Sequence, residues 1–129
     1  MKVENKGRST AKRCKGKMIA VYAEDGSLRD DRDPMLLHWA GMTLEQGLEP
    51  VDLAAEEHQL VDVVHARSDR RDAVFIVTDR TPAGFPKLLE AGQVHRVRLA
   101  IYADNAEPVT KNFLITFDGD IHSLNMKAV

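Results

Sequence analysis

Five histidines and twenty acidic residues give this 129-residue chain its most obvious capacity for metal chemistry. His58 and His65 lie seven residues apart, a spacing that places them near one face of a helix but on opposite faces of a strand. No HxH or HxxxH pair occurs, whereas a catalytic zinc usually needs three convergent protein ligands. We therefore expect solvated strand or loop histidines, and a metal-dependent enzyme is the weakest functional hypothesis. The histidines are His38, His58, His65, His95 and His122.

Two acidic clusters have the close spacing of calcium-binding loops. They are Asp30-Asp31-Arg32-Asp33 and Asp118-Gly119-Asp120, and neither matches the D-x-[DN]-x-[DN]-G loop with its distal glutamate. A polar loop and a hairpin turn explain them better. The phosphate-binding patterns GxGxxG and GxxxxGK[ST] are absent, and no serine, threonine or cysteine lies in a nucleophile motif. The sequence predicts a protein that is not an enzyme, with no catalytic residue, metal ligand or cofactor.

The net charge is −2 and the sequence pI is near 6.2, so no whole-molecule field attracts nucleic acid or an anionic membrane. The charge is unevenly distributed, because residues 1–17 carry a net +6 and residues 18–66 a net −9. The basic segment can dock an acidic partner or meet phosphate groups, with Tyr22 available to stack on a base. Aromatic residues are only 5% of the chain, so a protein partner is the leading hypothesis and nucleic acid the alternative. The candidate interaction surface consists of Lys12, Arg13, Lys15 and Lys17.

Period-two alternation over residues 94–103 predicts a half-buried strand near the carboxyl end. Aliphatic residues lie on one face of this strand, and Arg96, Arg98 and Tyr102 lie on the other. The pattern restarts over residues 113–117, so the chain is expected to end in two or three antiparallel strands.

The amino end follows the same pattern, with a short strand at Val3 and a longer one over residues 12–22. In the longer strand the even-numbered residues from position 14 to position 22 are expected to face inward. The two ends also have similar corners between successive strands, because Asn5 in one recurs as Asn105 in the other. Both asparagines are expected to hydrogen-bond local backbone and to tolerate a left-handed conformation where the chain reverses.

The middle of the chain leaves two alternatives open. Residues 52–67 have a possible N-cap at Asp52 and apolar residues at helical spacing, which favours a helix. A helical turn between a strand over residues 73–77 and the strand over residues 94–103 would also permit a βαβ unit, and hence an α/β fold. Two prolines and a glycine within residues 82–86 leave too few residues for a covering helix. The α/β fold is therefore the minor alternative.

The run from Val3 to Cys14, VENKGRSTAKRC, resembles the V-x-N-x-G-x-S/T-A-x-x-C opening of immunoglobulin-like β-sandwich domains. The run GQVHRVRL from Gly92 looks like a later strand of that group, and YADNAEP from Tyr102 resembles its second asparagine corner. Such domains are common in uncharacterised archaeal and bacterial proteins and are loosely similar to the CARDB adhesion type. The resemblance covers both ends of the chain, and it implies an architecture but no catalytic residues.

In domains of this type, the segment matching residues 57–66 is a strand, and a tryptophan-bearing strand that Trp39 would supply precedes it. The resemblance therefore favours a strand over a helix for residues 58–66. Such sandwiches usually have a strand before the opening one, whereas here Met1 stands two residues from Val3. We expect an unpaired sheet edge, with which a second copy could pair to form a homodimer.

The length fits one domain over residues 1–129. Hydrophobic residues make up 43% of the chain and charged residues 29%, a composition that allows a buried core. With a single cysteine and apolar runs too short to span a bilayer, we expect a cytoplasmic protein without membrane contact. The predicted fold is an all-β, immunoglobulin-like antiparallel β-sandwich of about seven strands. The predicted function is a non-catalytic interaction or accessory module. The predicted core contains Val3, Cys14, Met18, Ala20, Trp39, Leu60, Phe75, Val97, Leu99, Ile101, Phe113, Ile115 and Phe117.

Overall fold

A computed structural model of the chain describes residues 1–30, 34–78 and 88–129. Strands dominate these residues, which confirms the predicted all-β class. No helix in these three ranges has the length and apolar character needed to cross a membrane. The central residues of the first acidic cluster, 31–33, and the segment over residues 82–86 lie outside the described residues. The elements are β1 (Lys2–Glu4), β2 (Ala11–Tyr22), β3 (Leu28–Asp30), β4 (Met35–Leu36), β5 (His38–Trp39), α1 (Leu44–Gly47), β6 (Val51–Leu53), β7 (His58–Asp62), β8 (Val64–Arg67), β9 (Arg70–Ile76), β10 (Leu88–Glu90), β11 (Val94–Ala103), β12 (Ala106–Thr116), a 3-10 helix (Ile121–Ser123) and β13 (Asn125–Ala128).

The long strand β2 organises the largest sheet, because it has hydrogen-bonded neighbours along both edges. β11 pairs with one edge, and β6, β4 and β3 pair in succession with the other. The sheet continues from β11 to β12 and β13, and all of these pairs are antiparallel. Val97 and Leu99 of β11 are buried while Arg96 and Arg98 are exposed. The predicted alternation of β11 is therefore confirmed.

Two three-stranded sheets contribute to the same core as the largest sheet. One has the order β1-β7-β5, in which Trp39 lies opposite Val61. The other has the order β10-β9-β8, and the Val77 N–H donates to the Val63 carbonyl (2.9 Å) where the two sheets meet. A tryptophan-bearing strand thus precedes the strand over residues 58–62 and pairs with it.

Most of the predicted core is buried. Ile101 is half-buried and packs against the core cluster, whereas Trp39 and Met18 are among its largest fully buried side chains. Large residues that pattern analysis did not single out, Met35 and Leu37, complete the centre. The predicted core residues found buried are Val3, Cys14, Met18, Ala20, Trp39, Val97, Leu99, Phe113, Ile115 and Phe117.

The predicted core positions Leu60 and Phe75 are wrong. Leu60 is 51% exposed, and its neighbour Val61 is buried instead. β7 carries apolar residues on both faces, so its phase is set by pairing with neighbouring strands rather than by the pattern. Phe75 is half-buried and stacks on the ring of His65, with ring centroids 5.3 Å apart, whereas Val74 is buried beside it.

A β-bulge in β2 changes which residues share a face. Met18 lies opposite Leu99 and points into the core, but Ile19 is an extra residue with no partner in β11. Beyond the bulge, Tyr22 lies opposite Arg96, whose side chain points away from the core. The prediction that Ala20 and Tyr22 share the inward face of Met18 is therefore wrong, although Ala20, opposite Arg98, is still buried.

The middle of the chain is extended rather than helical. Residues 51–53, 58–62 and 64–67 form β6, β7 and β8, so residues 58–66 are extended as predicted, although in two strands of different sheets rather than one, and the helical alternative is wrong. Residues 88–90, in the connection where the βαβ alternative needs a helical turn, form β10, which pairs antiparallel with β9, so that alternative is wrong.

Both asparagine corners hydrogen-bond the backbone, as predicted. The Asn5 amide donates to the Leu53 carbonyl (2.9 Å). The Asn105 amide donates to the Thr10 carbonyl (2.9 Å), and its Oδ1 accepts the Lys12 N–H (2.9 Å). Neither asparagine has a positive φ, so the left-handed conformation that this residue type tolerates is adopted at neither position.

Candidate interaction surface

The outward face of the largest sheet gathers basic residues from three strands. Residues directly opposite one another in an antiparallel pair point to the same side of the sheet. Arg96 of β11 lies opposite Tyr22 of β2 on one side and Leu114 of β12 on the other. Leu114 in turn lies opposite Lys127 of β13. One row across the sheet therefore carries a tyrosine and two cations on the outward side.

The same face continues along the strands. Lys17 lies opposite Ala100, and Lys15 lies opposite Tyr102. Each of these rows is in phase with Arg98, because alternate residues of a strand share a face. We call this surface the basic sheet face, and its cations are Lys15, Lys17, Arg96, Arg98 and Lys127.

The cations of the basic sheet face have no carboxylate partners within the described ranges. No ion pair of 4.0 Å or less joins any of the five to an acidic side chain there. Asp104, two residues beyond Tyr102, is bound by Arg13 through an Nε to Oδ2 distance of 3.2 Å. Unpaired charges of one sign at this density create a local positive potential, so the face attracts anions although the whole chain is slightly acidic.

A hollow of about 210 Å³ lies on this face beside Tyr22. Its wall includes Arg96, Arg98 and Asn112. Arg98 donates from Nε to the Asn112 Oδ1 (3.3 Å), which orients the guanidinium and leaves its terminal nitrogens available to a ligand. At the other end of the face, Lys17 Nζ lies 5.6 Å from the ring centroid of Tyr102. A cation therefore accompanies each tyrosine.

The predicted interaction surface is divided by a bulge at the start of β2. Lys15 and Lys17 belong to the basic sheet face, whereas the register shifts between Ala11 and Cys14. Arg13 in this bulge has φ of 55°, and its N–H donates to Asp52 Oδ1 (2.9 Å). Its side chain is neutralised by Asp104, as described above. Lys12 is exposed, and its backbone is fixed by the Asn105 corner.

Pattern analysis missed the contribution of β11 and β13. Arg96, Arg98 and Tyr102 were correctly placed on the outward face of their strand, but nothing in the sequence shows that this strand pairs with Lys15 and Lys17. Lys127 lies on an edge strand whose register is set by β12. A search for charged outward positions on every predicted strand would have found Arg96 and Arg98.

His38 is buried, so the expectation of a solvated histidine is wrong for it. Its Nε2 lies 2.9 Å from the Thr43 carbonyl and its Nδ1 lies 3.3 Å from Asp62 Oδ2. Asp62, which lies between the buried Val61 and Val63, supplies this carboxylate. Gly47 of α1 packs directly against the His38 ring. This cluster connects α1 to β5 and β7.

His95 is also buried, contrary to expectation. Its Nε2 lies 3.0 Å from the Glu90 carbonyl and its Nδ1 lies 3.2 Å from Arg29 Nη1. Arg29 also pairs with the Glu90 carboxylate (3.2 Å). The hydrogen bond from its own backbone N–H, together with Arg29, lowers the pKa of Glu90. Within the described part of the chain, no group of three or more His, Cys, Asp or Glu residues is arranged to hold a metal.

The second acidic cluster caps its own turn. Asp118 Oδ1 accepts the Asp120 N–H (3.0 Å), and Asp120 Oδ1 accepts the His122 N–H (2.9 Å). The bond from the Asp120 N–H, aided by Ser123, lowers the pKa of Asp118. These contacts fit a hairpin turn rather than a calcium loop.

Cys14 is a small core residue, as its place in β2 predicts. Its Sγ lies 3.6 Å from the Ala11 carbonyl. Burial, followed by the negative charge of Asp52, raises the pKa of the Cys14 thiol. A raised pKa disfavours the thiolate, which is the nucleophilic form.

β1 has one edge that pairs with β7 and another that no strand of the described residues occupies. Met1 exchanges hydrogen bonds with Val61 (2.9 and 2.7 Å), so in this ladder the backbone of Lys2 and Glu4 faces away from β7. An apolar groove of about 390 Å³ lies beside this edge. The edge is three residues long and carries two charged side chains, features that limit strand addition. The groove is lined mainly by Met1, Val3, Leu99, Ile101, Phe113 and Met126.

Comparison with known proteins gives no match to a protein-family model, to a curated protein or to a solved structure. The likeness to immunoglobulin-like domains therefore stays a prediction.

Proposed function

We propose that this protein is a non-catalytic interaction module that binds an anionic partner through the basic sheet face. The observation that carries the proposal is the set of five cations on one sheet surface, none of which forms an ion pair with an acidic side chain of residues 1–30, 34–78 or 88–129. The attraction between one of these cations and a bound anion is stronger at the protein surface than in bulk water, because the effective dielectric constant there is lower. A face built to be solvated would be expected to intersperse acids among the lysines and arginines, and the paired positions of β2, β11, β12 and β13 on this side contain none.

A binding role fits the other chemical groups better than an enzymatic role does. The two buried histidines are engaged with carbonyl groups and with charged side chains that hold strands together. The thiol of Cys14 is buried, and its raised pKa makes it a poor nucleophile. An immunoglobulin-like sandwich is the architecture we propose, supported by the two asparagine corners and the pairing of Trp39 with Val61. A cytoplasmic location and a homodimer through β1 remain predictions.

Binding of fluorescent heparin, a polyanion without bases, tests the proposal by anisotropy. We expect binding that weakens with added salt and that falls about tenfold in Arg96→Ala/Arg98→Ala, since two exposed charge contacts of about 0.5–1 kcal/mol each are lost. The matched control is Lys6→Ala/Arg8→Ala, which removes two exposed cations from the turn after β1 and should leave affinity unchanged. Equal affinity in all three proteins, or no binding at low salt, would contradict the proposal.

A further inference from the structure

We infer that the anionic partner of the basic sheet face is a single-stranded nucleic acid, whose phosphates meet the cations and whose bases stack on Tyr22 and Tyr102. This inference rests on the proposed function and names the partner class for the same surface. It differs from the sequence-based alternative in its residues, because Arg96, Arg98 and Tyr102 join Tyr22 while Arg13 is neutralised by Asp104.

The two tyrosines lie at opposite ends of the basic sheet face. Tyr22 lies opposite Arg96, and Tyr102 is six residues further along β11. At about 3.3 Å per residue the rings are separated by roughly 20 Å along the strand. This length corresponds to about six nucleotides at a stacked rise of about 3.4 Å, and to fewer in an extended strand. A short single strand can therefore reach both rings while its backbone passes the cations.

The hollow beside Tyr22 supplies the donors that a nucleotide needs. Two guanidinium groups, from Arg96 and Arg98, line it together with the Asn112 amide. A guanidinium presents a planar fork of N–H groups that matches phosphate oxygens two at a time. The adjacent ring of Tyr22 offers a surface for the base of the same nucleotide.

Two alanines lie between the tyrosines on this face. Ala20 and Ala100 occupy outward positions there, opposite Arg98 and Lys17. Ala20 is 5% exposed and Ala100 is 0% exposed, so a bound strand would contact the longer side chains around them, the cations included, rather than the alanines themselves. An acidic peptide would use the same charges but would leave the two rings without a planar partner.

Binding of three probes separates the contribution of base stacking from that of charge. They are an oligo(dT) 12-mer, an abasic 12-mer with the same phosphates, and heparin, each measured by anisotropy at several salt concentrations. We expect oligo(dT) to bind roughly 5- to 100-fold more tightly than the abasic strand, the range that base stacking on one aromatic residue gives. If all five cations contact phosphates, oligo(dT) affinity falls about 100-fold between 50 and 200 mM salt.

Variants at the rings complete the test. Tyr22→Ala/Tyr102→Ala should lower oligo(dT) affinity to that of the abasic strand, whereas Tyr22→Phe/Tyr102→Phe should retain the preference, since the rings remain. Circular dichroism of each variant verifies that the sheet is intact. If oligo(dT) and the abasic strand bind equally, or if the alanine variant keeps the preference, the nucleic-acid inference is overturned. Heparin binding that still depends on Arg96 and Arg98 would then leave the proposed function standing, whereas loss of all binding would remove both.

Discussion

Gly47→Ala is expected to destabilise the fold strongly, although the site is at the end of a helix where alanine is normally preferred. A Cβ atom on Gly47 would lie closer than 3.0 Å to three atoms of the His38 ring. His38 is 8% exposed and is held on both ring nitrogens, by Thr43 and by Asp62. The ring therefore cannot move aside without losing these contacts.

The magnitude follows from three contributions. Overpacking a buried site costs about 1–3 kcal/mol, and losing the two hydrogen bonds of His38 costs about 1 kcal/mol each. Alanine has a higher helix propensity than glycine, which offsets up to about 1 kcal/mol of this cost. We expect Gly47→Ala to lower the free energy of unfolding by about 2–4 kcal/mol, which shifts the urea midpoint by roughly 1–2 M.

A double-mutant cycle with His38→Ala isolates the cause. In the His38→Ala background the ring is gone, so adding Gly47→Ala should be neutral or slightly stabilising in urea unfolding. The expected coupling between the two substitutions is about 2 kcal/mol or more. A cost of Gly47→Ala that is the same in both backgrounds would refute the reasoning, because the clash with His38 would then not be its source. Gln46→Ala, at an exposed position of the same helix, is the control and should change stability little.

Three further predictions concern the fold. Trp39→Ala should lower the free energy of unfolding in urea by about 3–5 kcal/mol, because the side chain is fully buried. Leu60→Ala should lower it by under about 0.5 kcal/mol, because Leu60 is exposed. A larger effect at Leu60 would show that its side chain points into the core. Asn105→Ala should cost about 1–2 kcal/mol by the same measurement, since both its backbone hydrogen bonds are lost, and a neutral result would mean that the corner forms without the amide. The pKa of Glu90 is lowered by its own backbone N–H and by Arg29, so the stabilisation it provides is complete above the ordinary carboxylate pKa of about 4.3 and is lost as pH falls through the lower folded-state value. Glu90→Gln should therefore flatten the loss of unfolding free energy on the acid side, and an unchanged acid slope would contradict this assignment.

The sequence predicts strands best where one face is buried and the other is wet. β11 has Val97, Leu99 and Ile101 at alternate positions on its inward face, so its phase was predicted correctly. β7 has apolar residues on both faces, so its pattern fits two phases and only the pairing of Val61 with Trp39 decides between them. The prediction for Phe75 is wrong for a related reason. Its ring lies outside the core and is covered by the side chains of Arg67 and Arg70.

The candidate site was only partly predictable because it depends on long-range register. Lys15 and Lys17 are visible as outward cations in β2, but their neighbours Ala100 and Tyr102 come from more than 80 positions away. The charge of Arg13 is cancelled by Asp104, a contact that needs both the bulge in β2 and the corner after β11. The buried histidines escaped prediction for the same reason, since their partners are carbonyl and charged groups of other elements.

Because Ile19 is an extra residue without a partner in β11, the chemical character of the surface depends on the number of residues in β2 as well as on their types. Removing one residue at this point of β2 would exchange the two sides of everything that follows up to the next turn, turning Tyr22 toward the interior and Val21 toward solvent. Homologous chains with a gain or loss of one residue here would keep their aromatic ring in the alignment and yet hide it from any ligand. Relatives should therefore be grouped by the spacing between Met18 and Tyr22 before their surfaces are compared.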